Sequence, residues 1–218
     1  MYARVSVIIP CYNMGEYLND AVASVLSFSS QERIETIIVN DGSNDPKTIE
    51  VLNELNGTED VQIIHQENHG LSHARNTAIK LAKGEFIVPL DADNKIFEVY
   101  IIEALKIFDQ EKEVGIVFGN LERFGKENQK IRLEGFDISK MLVKNYIDAC
   151  VVMRKAAWEE VNGYDEKMKL GYEDWDFHIR CFFNGWQFRH IDKQCFAYRV
   201  RENSMLKDSN KKRDQILC

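Results

Sequence analysis

The chain of 218 residues carries 28 Lys and Arg against 35 Asp and Glu, a formal charge of −7. That balance argues against a general nucleic-acid binder, which needs a basic face, but leaves room for a local basic pocket. Its 44% hydrophobic and 29% charged content is ordinary for a soluble globular protein long enough to bury a proper core. In chain order, "VSVIIP" reads as a buried strand, "EYLNDAVASVLSF" as a helix by its apolar spacing, and "IETIIVN" as a second strand. Asp45 before Pro46 forms an N-cap with proline at the first helical position, and "KTIEVLNEL" continues that helix. "VQIIH" is a third strand, "LSHARNTAIKLA" a helix and "EFIVPL" a fourth strand. Such alternation implies a parallel sheet covered by helices on both faces.

The later half changes character. "YIIEALKIF" reads as a helix and "VGIVFGN" as a strand, followed by two short strands, "LERF" and "KIRL", joined as a hairpin by the polar "GKENQ". A short helix from Asp137, a strand at "ACVVM", helices at "KAAWEEV" and "DWDFHIRCFFNG", and two closing strands, "FRHI" and "CFAYR", complete the pattern. The expectation is one α/β, Rossmann-like domain over 1–205 with a mixed, mostly parallel central sheet flanked by helices. Residues 1–95 would form its nucleotide-binding half and 96–205 its acceptor-binding half, with a charged tail at 206–218. The scattered cysteines lack a C-x-x-C pair and suit reduced thiols better than a disulfide framework or a zinc site. With no bilayer-length apolar run and no signal-peptide pattern, the expected location is cytoplasmic.

In open α/β sheets, ligands bind outside the carboxyl ends of the strands. Here the first strand ends in Pro10-Cys11-Tyr12-Asn13, the second in Asn40-Asp41-Gly42-Ser43 and the fourth in Asp91-Ala92-Asp93. Each is also compatible with a simple turn. Together on neighbouring strands they would build a polar crevice holding an aromatic ring, a lone carboxylate and a carboxylate pair. Side chains at i and i+2 of an extended strand share a face, so Asp91 and Asp93 would repel each other and invite a proton or a cation. Mg²⁺ or Mn²⁺ takes oxygen ligands and shares them with substrate phosphates. The crevice therefore suits a nucleoside diphosphate. With no G-x-G-x-x-G and no Walker lysine loop, dinucleotide binding and P-loop chemistry are disfavoured.

The segments "VSVIIPCYNMGEYL", "IIVNDGSND", "GLSHARNTAIKLAKGEFIVPLDADN" and "GYEDWDFHIRCFFNG", in that order, resemble the family 2 glycosyltransferases with the A-type nucleotide-sugar fold. The resemblance runs from Val5 to Met205. It implies that Pro10 and Tyr12 line the base pocket, that Asp41 hydrogen-bonds the base, usually uracil, and that Arg75 reaches the base edge or the diphosphate. Asp91 would lie by the ribose and metal, with Asp93 the main ligand of Mn²⁺ or Mg²⁺.

"LGYEDWDF" sets Glu173, Asp174 and Asp176 at a helix start, where acids also serve simply as caps and dipole partners. The resemblance implies that Asp174 is the general base on an acceptor hydroxyl and that Glu173 holds acceptor hydroxyls beside it. One base and no protein nucleophile imply a single displacement with inversion. Trp175 is a sugar platform or a core residue. His65, His69 and His73 stand four apart, but Gly70 interrupts the span, and no metal site is expected there.

"YRVRENSM" departs from the family, placing Arg201 where a histidine often helps to bind metal or diphosphate. A guanidinium cannot ligate a divalent cation but can clamp phosphate oxygens. Thr77-Ala78 departs too, without consequence inside a helix. The expected activity is metal-dependent transfer of a sugar from a UDP-sugar to a glycan or lipid-linked acceptor in surface polysaccharide synthesis. The acceptor would bring the protein to the inner face of the membrane without a transmembrane segment. Two readings compete: a nucleotidyltransferase of related architecture, and a catalytically impaired nucleotide-sugar-binding homologue.

Overall fold

The computed structural model describes residues 3–29, 33–169 and 171–202. The charged tail expected at 206–218 lies outside the described residues, as do Met205 and Cys218. The first half alternates strand and helix as expected: β1 (Val5–Cys11), α1 (Gly15–Leu26), β2 (Ile34–Asp41), α2 (Pro46–Leu55), β3 (Val61–Gln66), α3 (Leu71–Leu81) and β4 (Phe86–Pro89). Asp45 caps α2 by accepting from the Thr48 amide at 2.8 Å, with Pro46 at the first helical position. Strands β3, β2, β1 and β4 pair in that order, all parallel.

The second half adds β5 (Lys95–Ile96), α4 (Glu98–Gln110), β6 (Val114–Gly125), β7 (Gln129–Ile131), α5 (Ile138–Met141), β8 (Val152–Arg154), α6 (Lys155–Glu160), α7 (Glu173–Phe183) and β9 (Gln187–Val200). β8 joins β4 and β6 antiparallel, β6 runs parallel to β9, and β5 closes the edge antiparallel to β9. The sheet is mixed, as expected.

Two sequence expectations need correction. "VGIVFGN" and "LERF" form one strand, β6, and "FRHI" and "CFAYR" form one strand, β9. The polar breaks between them are absorbed by register shifts around Gly119, Asn120 and Leu121, where a bulge bends the ladder without ending it. The β6–β7 hairpin forms as expected, and β5 is too short to carry a periodicity signal.

Helices cover both faces of the sheet. Val5, Val7, Ile9 and Cys11 of β1 pack with Leu18 and Val22 of α1 and with Tyr100 and Phe108 of α4. Ile8 points the other way, into a second core with Ala74 and Ile79 of α3, Trp158 of α6 and Phe177 of α7. A strand that is apolar but for Ser6 thus feeds two cores, as burial on both faces requires. Among the described residues, no helix is long and apolar enough to cross a membrane.

Candidate active site

A cavity of about 1120 Å³ opens over the carboxyl ends of β1, β2 and β4, and every site residue named from the sequence lines it. Pro10 closes its floor at the end of β1, and Tyr12, 47% exposed, stands at its rim. Asp41 is buried at the end of β2. Its Oδ1 accepts from Gln66 Nε2 at 2.6 Å and from the His69 amide at 3.0 Å, and its Oδ2 accepts from the Gly70 amide at 2.9 Å. A carboxylate offers about four acceptor positions, so these three donors orient the group and leave one position on Oδ2 for a ligand N–H. Gly42 follows at φ 71°, and a Cβ there would stand 2.7 Å from the Asn68 amide, so the turn requires glycine.

The carboxylate pair sits on a turn, with the Asn94 amide donating to the Asp91 carbonyl at 3.0 Å. This corrects the expectation of an extended strand: β4 ends at Pro89, and chain reversal rather than strand pleat brings Asp91 and Asp93 to one cavity. Burial first, and then the Asp91 charge, push the Asp93 carboxyl above its ordinary value, while Arg201 pulls the other way. Arg201 Nε lies 2.6 Å from Asp93 Oδ2, a charge contact rather than a well-aimed hydrogen bond. Arg199, two residues earlier on β9, donates from Nε to the Asp93 carbonyl at 3.0 Å and from Nη2 to Asp20 at 2.7 Å. Both guanidinium groups lie over the Tyr17 ring, at 4.7 Å and 5.5 Å from its centroid.

Arg75 projects from α3 and is 1% exposed. It donates from Nη2 to Asp91 at 2.8 Å and from Nη1 to Glu173 at 2.5 Å. Burial disfavours its charge, but the two carboxylates outweigh that cost and hold the guanidinium above its ordinary value. The resemblance implies that Arg75 reaches the nucleotide; in the structure it lines the cavity and bridges the two acidic clusters.

Glu173 and Asp174 open α7, and the residue before them, Tyr172, adopts a left-handed conformation at φ 65°. A non-glycine residue there costs roughly 1–2 kcal/mol, a strain borne at the point that aims both acids into the cavity. Asn145 Nδ2 donates to both oxygens of Asp174, at 3.2 and 3.1 Å. Burial, then the charges of Glu173 and Asp148, push Asp174 up to about 7, against the pull of Arg75 and Asn145. Asp148, half-buried on the same wall, accepts from the Cys150 amide at 2.9 Å and is likewise raised to about 7, by burial and then by Asp91. Trp175 is largely core: it is 7% exposed, and its Nε1 donates to the Met141 carbonyl at 2.6 Å.

Among the three spaced histidines, His65 Nδ1 pairs with Asn40 at 3.1 Å, His73 Nδ1 with Gln66 at 3.0 Å, and the His69 ring packs on His73. Among the described residues no group of three or more His, Cys, Asp or Glu side chains is arranged as a metal cage. The pair on the 91–94 turn fits a Mg²⁺-type ion that takes one or two carboxylates and completes its shell from phosphates and water. Sequence reasoning passed over Asn145, Asp148 and Arg199. The first two lie in "KNYIDA", a stretch with no periodicity of its own.

The fold and site define a glycosyltransferase domain. The profile of glycosyl transferase family 2 matches residues 6–196, and the chain belongs to that family of enzymes. Over 198 residues, 88% of this chain, it is 29% identical to chondroitin synthase of Pasteurella multocida strain Pm70, and it covers 20% of that protein. Over 117 residues, 53% of this chain, it is 36% identical to poly-beta-1,6-N-acetyl-D-glucosamine synthase of Staphylococcus epidermidis, covering 28% of it. Among solved structures, S. aureus TarS 1–349 in complex with UDP-GlcNAc superposes with a TM-score of 0.78 at 20% identity. That match covers 94% of this chain and 60% of the TarS chain. The chain therefore spans only part of the length of these relatives.

Proposed function

We propose that the chain transfers a sugar from a UDP-sugar to a hydroxyl of a glycan or lipid-linked acceptor, with inversion, in surface polysaccharide synthesis. The observation that carries this reading is one cavity lined by Asp41, the Asp91–Asp93 turn and Asp174 together. The UDP donor is supported by the UDP-GlcNAc complex of TarS, and the polysaccharide product by the names of the two synthases.

Each group has a task in this reading. The Tyr12 ring stacks on the base, and the remaining acceptor position of Asp41 Oδ2 takes a base N–H. Asp93, with Asp91, would hold Mn²⁺ or Mg²⁺, which when bound neutralises charge on the diphosphate leaving group. Asp174 removes the proton of the attacking hydroxyl, and its raised affinity for protons suits a base working near neutral pH. Glu173, fixed by Arg75, holds the acceptor beside it. A lipid-linked acceptor would bring the enzyme to the cytoplasmic face of the membrane, where the reduced state of its four described cysteines is maintained.

A donor panel of nucleotide sugars, scored for released nucleoside diphosphate with Mn²⁺ or Mg²⁺, tests the proposal. Release from UDP-sugars that requires the metal is the expected result. A melting temperature that UDP raises equally with and without metal counts against the metal site. A preference for guanosine or thymidine diphosphate reassigns the donor.

A further inference from the structure

Arg201 reaches the cavity from the end of β9 and places Nε 2.6 Å from Asp93 Oδ2, on the carboxylate best placed to hold a divalent cation. Its neighbour Arg199 is committed elsewhere, to the Asp93 carbonyl and to Asp20, with its guanidinium against Phe124 at 4.4 Å. Arg201 also lies over the Tyr17 ring, 5.5 Å from its centroid, but it faces the Asp93 carboxylate itself. Its contact with Asp93 is a charge contact without well-aimed hydrogen-bond geometry, and its side chain keeps 24% exposure at the cavity wall. The Asp93 side chain beneath it is 14% exposed.

The geometry points to Arg201 as an exchangeable counter-ion that occupies Asp93 in the absence of nucleotide and moves onto the diphosphate when nucleotide binds, freeing Asp93 for the metal. This rests on the nucleotide-sugar reading above and adds an order of events to it. A guanidinium and a divalent cation on one carboxylate repel each other, so a metal arriving alone must displace Arg201 from its ion pair with Asp93 without itself offering the guanidinium a new anion. A diphosphate changes the balance by offering the guanidinium paired oxygens at least as well matched to its fork as a carboxylate. The partly exposed Arg201 can turn toward it while the Arg199 anchor keeps the strand end in place. Metal and nucleotide then assist each other through the protein as well as through direct metal–phosphate bonds, and the coupling is reciprocal.

The inference gives one substitution two effects of opposite sign. In Arg201→Gln, Mn²⁺ added without nucleotide meets an uncovered Asp93 and binds about ten-fold more tightly or better. The same variant, titrated with UDP in the presence of a chelator, loses the phosphate partner and binds about ten-fold more weakly or worse. The first titration is read by the electron paramagnetic resonance of free Mn²⁺, the second by calorimetry, both on the full chain. Arg201→Lys keeps the positive charge and should leave Mn²⁺ binding near that of the parent, and melting temperatures of both variants check the fold. A Gln variant that binds Mn²⁺ no more tightly than the parent, including not at all, overturns the inference. So does a variant that weakens both ligands, since that is loss of structure. If the parent fails to bind UDP with or without metal, the nucleotide-sugar reading falls, and the Mn²⁺ arm still decides whether Arg201 covers Asp93.

Discussion

Arg75 and Glu173 meet at 2.5 Å inside the molecule, and through this contact α3 is tied to the start of α7. The other arm of Arg75 reaches Asp91 at 2.8 Å, so one guanidinium fixes both acidic clusters relative to each other. With Glu173 7% and Arg75 1% exposed at the side chain, water does little to screen the pair.

Arg75→Met removes one partner and leaves two carboxylates facing each other without a cation. Truncating one side of a buried ion pair costs about 3–5 kcal/mol, so the urea midpoint should fall sharply. Arg75→Lys should recover only part of it, because an ammonium cannot span both carboxylates in the same fork. Equilibrium unfolding of the three proteins measures this. A methionine variant as stable as the parent would mean that the strut is dispensable.

Asp93 and Asp174 belong to different steps, and their conservative variants should separate. Asp93→Asn should weaken metal-dependent nucleotide binding, while Asp174→Asn should leave binding nearly unchanged and reduce transfer by about 10²–10⁴. Calorimetry with UDP and Mn²⁺, set beside turnover on a confirmed acceptor, reads both. Full turnover in Asp174→Asn would move the base to Glu173 or Asp176.

The sequence made much of this arrangement legible because the same residues do local and global work. Asp45-Pro46 writes the start of α2 in two letters, and the apolar run of β1 announces a strand buried on both faces. The acids of the 91–94 turn and of α7 stand in recognisable short motifs. What could not be read is what depends on distant partners. That "FRHI" and "CFAYR" make one strand depends on β6 running beside them through a bulge. That Arg75 is a strut follows from Asp91 and Glu173 converging on it, 16 and 98 residues away in the chain. Asn145 and Asp148 belong to an irregular segment, and nothing in "KNYIDA" shows that it folds against Asp174.

Asn145 supplies a test of how Asp174 is tuned. Its amide donates to both oxygens of the carboxylate, and hydrogen bonds to the charged form hold an acid's pKa down. Arg75 acts in the same direction, while burial, Glu173 and Asp148 act against it. In the parent, the rate should rise with pH as Asp174 loses its proton near 7. Asn145→Ala should move that rising limb of kcat/KM to higher pH by about one unit, given roughly 1.4 kcal/mol per unit. A loss of rate at every pH with the limb unmoved would make Asn145 merely structural.

Asp148 should make the fold less stable as pH rises. Its folded pKa is raised to about 7 from an ordinary 3.8, so between those values the folded state binds more protons than the unfolded chain. Stability is then greatest below about pH 4 for this group and is lost as pH climbs through 7. Asp174, raised by burial and its acidic neighbours, contributes in the same sense. Asp148→Asn removes the charge and keeps a side-chain oxygen for the Cys150 amide, so the local hydrogen bond survives. The variant should match the parent near pH 4 and exceed it at pH 8 by about 1–3 kcal/mol, an order of magnitude set by the cost of an ionised, partly buried carboxylate. Denaturant unfolding from pH 4 to 8 without metal measures the slope for both proteins. Parallel curves would show that Asp148 ionises as easily in the folded cavity as in water.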